Sequence, residues 1–254
     1  MQIQNKSLVP RFSAITLDNV SIQQSPKLIR ERLEKVGVRA IDNVVDVTNY
    51  FMIDKGQPMH SFDYDKILGG KMIVRESMAG EGVITLDGQE RKLPAGVIII
   101  EDGHGRLIDL CGIMGAQNSE VDENTKRVLL FVQIYDPVRI RQASMALGHR
   151  TDAAMRFEKG VDSQGVVPSL WEAVGMLERN AGAVIASKLI DIVNQPYREK
   201  KLPLDIKKIQ EVAGVPLPEK DIVCYLCNLC FLLSQDNKTV TVPSWRHSDI
   251  EATE

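Results

Sequence analysis

Thr48, Asn49, Gln57, His60 and Asp63 stand within the run from Asp46 to Asp63, among residues of otherwise buried character. An unpaired buried donor or acceptor costs roughly 1–3 kcal/mol, so this run must find partners for them. Gly56-Gln57-Pro58 ends the helical pattern sharply, because Pro58 lacks an N–H and pushes the residue before it out of the α region. The turn should therefore bring His60 back towards Asn49. On residue types alone the expectation is a hydrogen-bonded histidine in a helix–turn–strand corner.

Other reactive groups are sparse. There is no phosphate loop, no zinc spacing and no serine or cysteine nucleophile motif. Cys224-x-x-Cys227-x-x-Cys230 has part of a metal spacing, but its only further ligand would be the distant Cys111. Steps of three place Cys224 and Cys227 on one helix face beside Leu226 and Leu229, so they are expected to be small buried thiols. Residues 139–160 carry Arg139, Arg141, Arg150, Arg156 and Lys159 against Asp152 and Glu158, a local net of +3. That run suits either phosphate contact or a solvated helix face with internal ion pairs.

Ser25-Pro26 reads as an N-cap followed by proline in the first turn, with Gly37 as the stop and Leu28, Ile29, Leu33 and Val36 as the buried stripe. A second helix is expected over about 42–54. From 71 to 133 the period changes to short β-prone runs punctuated by Asp87-Gly88, Pro94-Ala95-Gly96 and Asp102-Gly103, ending with the strand Arg127 to Val132. Asp136-Pro137 opens a helix that stops at Gly148, and a further helix fits about 165–180. A polar linker follows at Asn194 to Lys201. Two short helices and a hairpin then make a small unit that stops at Glu254 without a completing element. The expectation is α+β: a β-rich module with packed helices over 1–198, then a truncated helix-turn-helix or winged-helix-like domain over 199–254.

The opening run, Asn43-Val44-Val45-Asp46-Val47-Thr48-Asn49-Tyr50 through Gly56-Gln57-Pro58-Met59-His60-Ser61-Phe62-Asp63, resembles the editing module of the phenylalanyl-tRNA synthetase beta subunit. The resemblance returns at Gly112-Ile113-Met114-Gly115, at Asp136-Pro137 with Leu147 to Asp162, and at Val242 to Ile250. Separated blocks in the right order are far more specific than one motif. The resemblance implies hydrolysis of tyrosine wrongly esterified to the phenylalanine tRNA. An apolar pocket rejects an added hydroxyl only modestly, so a second site must remove what the first admits. Held water and a stabilised oxyanion suffice, without a covalent nucleophile.

By resemblance, His60, Thr151 and Asn49 are the catalytic residues, and Gly112, Gly115 and Ala153 contact substrate. Where the family has a glutamate that recognises the tyrosine hydroxyl, this chain has Phe131, and the neighbouring small residue is replaced by Gln133. Phenylalanine accepts no hydrogen bond, so tyrosine discrimination is expected to be weakened, altered or lost. Arg139, Arg141, Arg150 and Arg156 would meet tRNA phosphates. The rival expectation is a non-catalytic module that positions tRNA or packs on another subunit. Asp249 stands where the family has the first of several magnesium ligands, whose companions would follow Glu254. The parent enzyme so implied uses ATP and magnesium and pairs two alpha with two beta chains, the alpha chains carrying aminoacylation. No cofactor is expected for this chain itself.

The 254 residues are long enough for one large or two smaller domains, and 44% apolar content suits a packed core. Thirty-one basic against thirty-four acidic residues, a net of −3, exclude a chain that is basic throughout. No apolar run approaches the ~20 residues of a membrane span, and no signal-peptide pattern is present, so a cytoplasmic location is expected. Four cysteines, three of them crowded, do not form a secreted disulfide framework.

Overall fold

The computed structural model describes residues 1–251 as an α+β protein of two compact units, the second beginning at Tyr197. The first unit opens with β1 (Gln2–Ile3), β2 (Arg11–Asp18), α1 (Lys27–Lys35) and α2 (Val45–Asp54). Next come β3 (Met59–Asp63), β4 (Met72–Glu76), the hairpin β5 (Gly82–Ile84) and β6 (Glu90–Lys92), β7 (Ile98–Asp102), β8 (Leu107–Leu110) and β9 (Met114–Gly115). It closes with β10 (Val128–Ile134), α3 (Pro137–Ala146), α4 (Asp152–Phe157), α5 (Val166–Ala181), β11 (Val184–Ile185) and β12 (Ile190–Val193).

Two five-stranded sheets carry this unit. One runs β1-β4-β7-β8-β9; the other runs β11-β2-β10-β3, with β12 also on β2. All residues of β10 are buried, which explains its apolar run from Val128 to Val132, with Gln133 the one polar residue of the strand. Its alternate side chains serve two cores. Leu129 and Phe131 join Val74, Ile99 and Leu110, whereas Val128, Leu130, Val132 and Ile134 join Val47, Phe51, Leu170 and Val174 of α2 and α5.

Several local expectations are corrected. Pro26, not Ser25, occupies the cap of α1, and the Ser25 hydroxyl donates to the Asp42 carbonyl at 3.1 Å. The buried stripe of α1 is only Ile29 and Leu33; Leu28 and Val36 are exposed. Helix α2 starts at Val45 because the Asp42 carboxylate accepts from the Val44 and Val45 N–H groups, each at 2.8 Å, and fixes the chain entering it.

The second unit contains β13 (Lys201–Pro203), α6 (Ile206–Ala213), α7 (Glu219–Asn228), β14 (Leu232–Leu233) and β15 (Thr239–Thr241), with sheet order β13-β15-β14. Lys201, read as linker, is thus part of a strand. Cys224, Cys227 and Cys230 are exposed rather than buried, because the core here is small, built on Phe231, Val240 and Val242.

Candidate functional site

The turn after α2 sets the site's geometry. Gly56 adopts φ +66°, a left-handed conformation that glycine takes without strain, and reverses the chain into β3. Asn49 on α2 and His60 on β3 then line one cleft of about 550 Å³. Ile113, Met114 and Gly115 form a second wall, and Thr151, Asp152 and Ala153 at the start of α4 a third. Leu86 and Asp87, at the tip of the β5–β6 hairpin, lean over it, held by the Leu86 N–H donating to the Gly115 carbonyl at 3.0 Å.

His60 is fixed by packing and not by the hydrogen bond its residue type leads one to expect, because its ring has no hydrogen-bond partner among the described residues. Its ring meets Phe62 edge-on at 4.7 Å and Phe131 edge-on at 5.7 Å. A Cβ on Gly115 would lie 2.6 Å from Cε1 and Nε2 of the same ring. Burial depresses the imidazole's pKa to about 4, so the ring is neutral at pH 7. Thr151 caps α4: its hydroxyl accepts from the Ala154 N–H at 3.2 Å and donates to the Ile113 carbonyl at 2.9 Å. That second bond ties α4 to the glycine loop, and it commits the hydroxyl proton.

The cleft's lining carries carboxylates, of which Asp87 and Asp152 are paired with Arg91 and Arg156 while Asp42 and Glu120 have no ion-pair partner among the described residues. No Lys or Arg is among its described lining residues. Paired hydrogen bonds from Arg91 hold the Asp87 carboxyl far below the usual range, whereas burial raises that of Asp42.

The other sequence-derived residues lie elsewhere. Gly112, at φ +69°, faces the core: a Cβ there would meet Ile140 at 2.8 Å and Phe157 and Tyr135 at 3.1 Å. Phe131 is stacked between Phe12 at 5.4 Å and Phe62 at 5.0 Å, behind His60 and outside the lining of the cleft. Gln133 is buried on the same strand with its Oε1 unpaired, also outside that lining. Arg139, Arg150 and Arg156 pair with Glu76, Glu158 and Asp152, and Arg141 is exposed. Leu86, Asp87, Glu120 and residues 37–42 carry no site signal in the sequence; Asp87-Gly88 carries only a turn signal and Gly37 only a helix stop.

Asp249 accepts from the Arg246 Nε at 2.8 Å. A lone paired carboxylate does not supply the near-octahedral oxygen set magnesium needs, and no group of three or more His, Cys, Asp or Glu that could hold a metal occurs among the described residues. Among them too, no helix is long and apolar enough to cross a membrane.

A model described as the B3/4 domain matches residues 8–182. The chain is 39% identical over 248 residues to the phenylalanine–tRNA ligase beta subunit of Carboxydothermus hydrogenoformans, covering 97% of this chain and 31% of that protein. It is 33% identical over 249 residues to that of Protochlamydia amoebophila, with the same 97% and 31% coverage. Among solved structures, an N-terminal fragment of the phenylalanyl-tRNA synthetase beta subunit from Pyrococcus horikoshii aligns at TM-score 0.43 and 13% identity, over 98% of this chain and 70% of that one. The chain thus spans 31% of the length of the curated relatives just named. It belongs to the B3/4 domain family, in the form carried by phenylalanine–tRNA ligase beta subunits.

Proposed function

We propose that the cleft hydrolyses the ester of a wrongly charged phenylalanine tRNA, with tyrosine as the amino acid removed. The observation supporting this reading is the convergence of Asn49, His60, Gly115, Thr151 and Ala153, from four separate parts of the chain, on one cleft. Neither the Asn49 amide nor the His60 ring hydrogen-bonds another group among the described residues, so both are available to a water or an ester. Asp42 and Glu120, the lining carboxylates without an ion-pair partner among the described residues, suit the free α-ammonium of an aminoacyl group and disfavour phosphate, so the ester enters while the phosphodiester chain stays at the rim. The water oxygen attacks the ester carbonyl carbon, the bond to the ribose oxygen breaks, that oxygen takes one of the water's protons, and the amino acid leaves as its carboxylate with the second proton released to solvent. A ring with a pKa near 4 is a weak base at pH 7, so His60 serves to orient the water and the ester rather than to store a proton.

In the whole ligase this domain would act beside the alpha subunit in the cytoplasm, with ATP and magnesium serving aminoacylation elsewhere. A second reading is favoured by one residue. Phe131, standing where the family glutamate would meet the tyrosine hydroxyl, is sealed in an aromatic stack, which suits a module that only positions tRNA.

Deacylation of tyrosyl-tRNA(Phe) by the chain, beside His60→Ala, tests the proposal. Turnover lost in His60→Ala supports hydrolysis. A folded wild type that releases no tyrosine sinks it in favour of positioning.

A further inference from the structure

The cleft and its rim differ in charge. Asp42 and Glu120 line the cleft without an ion-pair partner among the described residues, whereas α1 and the residues after it carry Lys27, Arg30, Arg32, Lys35 and Arg39 against Glu31 and Glu34. Arg32, Lys35 and Arg39 are exposed, and none of them pairs with a carboxylate among the described residues. This sets them apart from Arg139, Arg150 and Arg156, whose charges are already neutralised by neighbours. The Arg32 guanidinium lies 6.0 Å from the Tyr50 ring centroid and donates to its hydroxyl, leaving a planar cation beside an aromatic face. Arg32, Lys35, Val36, Tyr50 and Asp54 border a depression of about 510 Å³. Val36 and Ile41 are 56% and 62% exposed. Gly37, Val38 and Ile41 also line the cleft, so the segment that carries Arg39 borders its mouth. A favourable interaction with the helix C-terminus accounts for Arg32 and Lys35 but not for Arg39, which lies beyond it, nor for the exposed apolar pair.

Resting on the reading of the cleft as an aminoacyl-ester site, we propose that Arg32, Lys35 and Arg39, with Tyr50, Val36 and Ile41, bind the single-stranded 3′ end of the RNA whose terminal ester enters the cleft. Cations take the phosphates, while Tyr50 and the exposed aliphatic side chains take bases and riboses. An unpaired strand is required because only splayed nucleotides offer base faces to such a surface.

The test is fluorescence anisotropy with an uncharged RNA hairpin bearing a short single-stranded 3′ tail, and with the same hairpin cut blunt. The proteins are the wild-type chain and R32A/K35A/R39A, whose folding is checked by circular dichroism. The triple variant should bind the tailed RNA at least about tenfold more weakly, and its salt dependence should fall by about two ions for three lost single-strand contacts. Blunt RNA should bind weakly and alike to both proteins. Equal affinity of the variant and wild type for tailed RNA, or no binding by wild type at about 50 mM salt, overturns the proposal. An equal loss for blunt and tailed RNA also overturns it, by showing a general polyanion surface. Uncharged RNA has no ester, so this readout is independent of hydrolysis. Loss of tailed-RNA binding beside an inert wild type would leave the surface standing and remove the ester site.

Discussion

A Cβ placed on Gly115 falls 2.6 Å from the Cε1 and Nε2 atoms of His60, and 3.3 Å from the Leu86 side chain. The imidazole therefore sits in space that exists only because residue 115 has no side chain. The backbone at Gly115 is not in the left-handed region, so steric room rather than φ demands glycine. Gly115→Ala should push the ring out of place, at a cost of about 1–3 kcal/mol for overpacking. The expected outcome is a modest fall in denaturation midpoint together with at least a tenfold loss of tyrosyl-ester hydrolysis. Unchanged hydrolysis in a folded Gly115→Ala would detach His60 placement from activity.

The His60 pKa of about 4 gives a stability signature. The unfolded imidazole titrates near 6.5. Between these values the unfolded chain binds the extra proton, so stability rises with pH through this window and falls as the solution is acidified from 6.5 towards 4. His60→Gln removes the titration. Urea midpoints measured from pH 4 to 8 should therefore fall less steeply on acidification in the variant than in wild type. Parallel curves would contradict the buried, neutral ring.

What sequence revealed about the site follows from how each residue type is constrained. Asn49 and His60 were legible because Gly56 and Pro58 leave the chain one way to turn, and a polar pair flanking that turn must face a shared space. Thr151 was legible as a cap, and its cap is what fixes α4 at the cleft. Gly112 and Gly115 look alike in a sequence, yet one lets the chain pack on Ile140 and the other makes room for a ring. Phe131 shares a strand face with Gln133 by simple alternation, but alternation does not say which layer covers that face. The lining carboxylates were invisible because Asp42, Asp87, Glu120 and Asp152 come from loops and helix ends whose meeting is decided by tertiary packing. The small unit misled for a related reason. A three-residue repeat predicts a shared helix face, but only a covering layer makes that face buried, and Cys224 and Cys227 have none.

Asp109 supplies an opposite pH response. It lies on β8 directly across from Gly115, and burial pushes its carboxyl up to about 8. The folded chain therefore holds a proton that the unfolded chain releases near 3.9, and the stability this contributes is lost as pH rises from about 4 to 8. Asp109→Asn keeps the shape and cannot ionise. Relative to wild type it should gain stability steadily over that interval, with the gap between their denaturation midpoints widest at pH 8. A gap that does not change with pH would show that Asp109 is charged in the folded protein.

Restoring the family's carboxylate at position 131 is the obvious attempt to recover tyrosine recognition, and the packing argues against it. Phe131 lies between Phe12 and Phe62 with both rings nearly parallel to it, at 18° and 4°. Truncating a buried aromatic of this kind costs about 3–5 kcal/mol, and a carboxylate in its place adds a desolvation penalty unless it is protonated or paired. A polar group that does face it, the His60 ring, is itself neutral and offers no compensating charge. Phe131→Glu should therefore unfold at markedly lower denaturant and be least stable above neutral pH, where the acid must ionise. It should release tyrosine from tyrosyl-tRNA(Phe) no faster than wild type, because residue 131 is not among the residues lining the cleft. Faster release by a stable Phe131→Glu would mean that the stack opens to admit the carboxylate to the substrate, and that the aromatic residue is a plug over a latent hydroxyl-reading site.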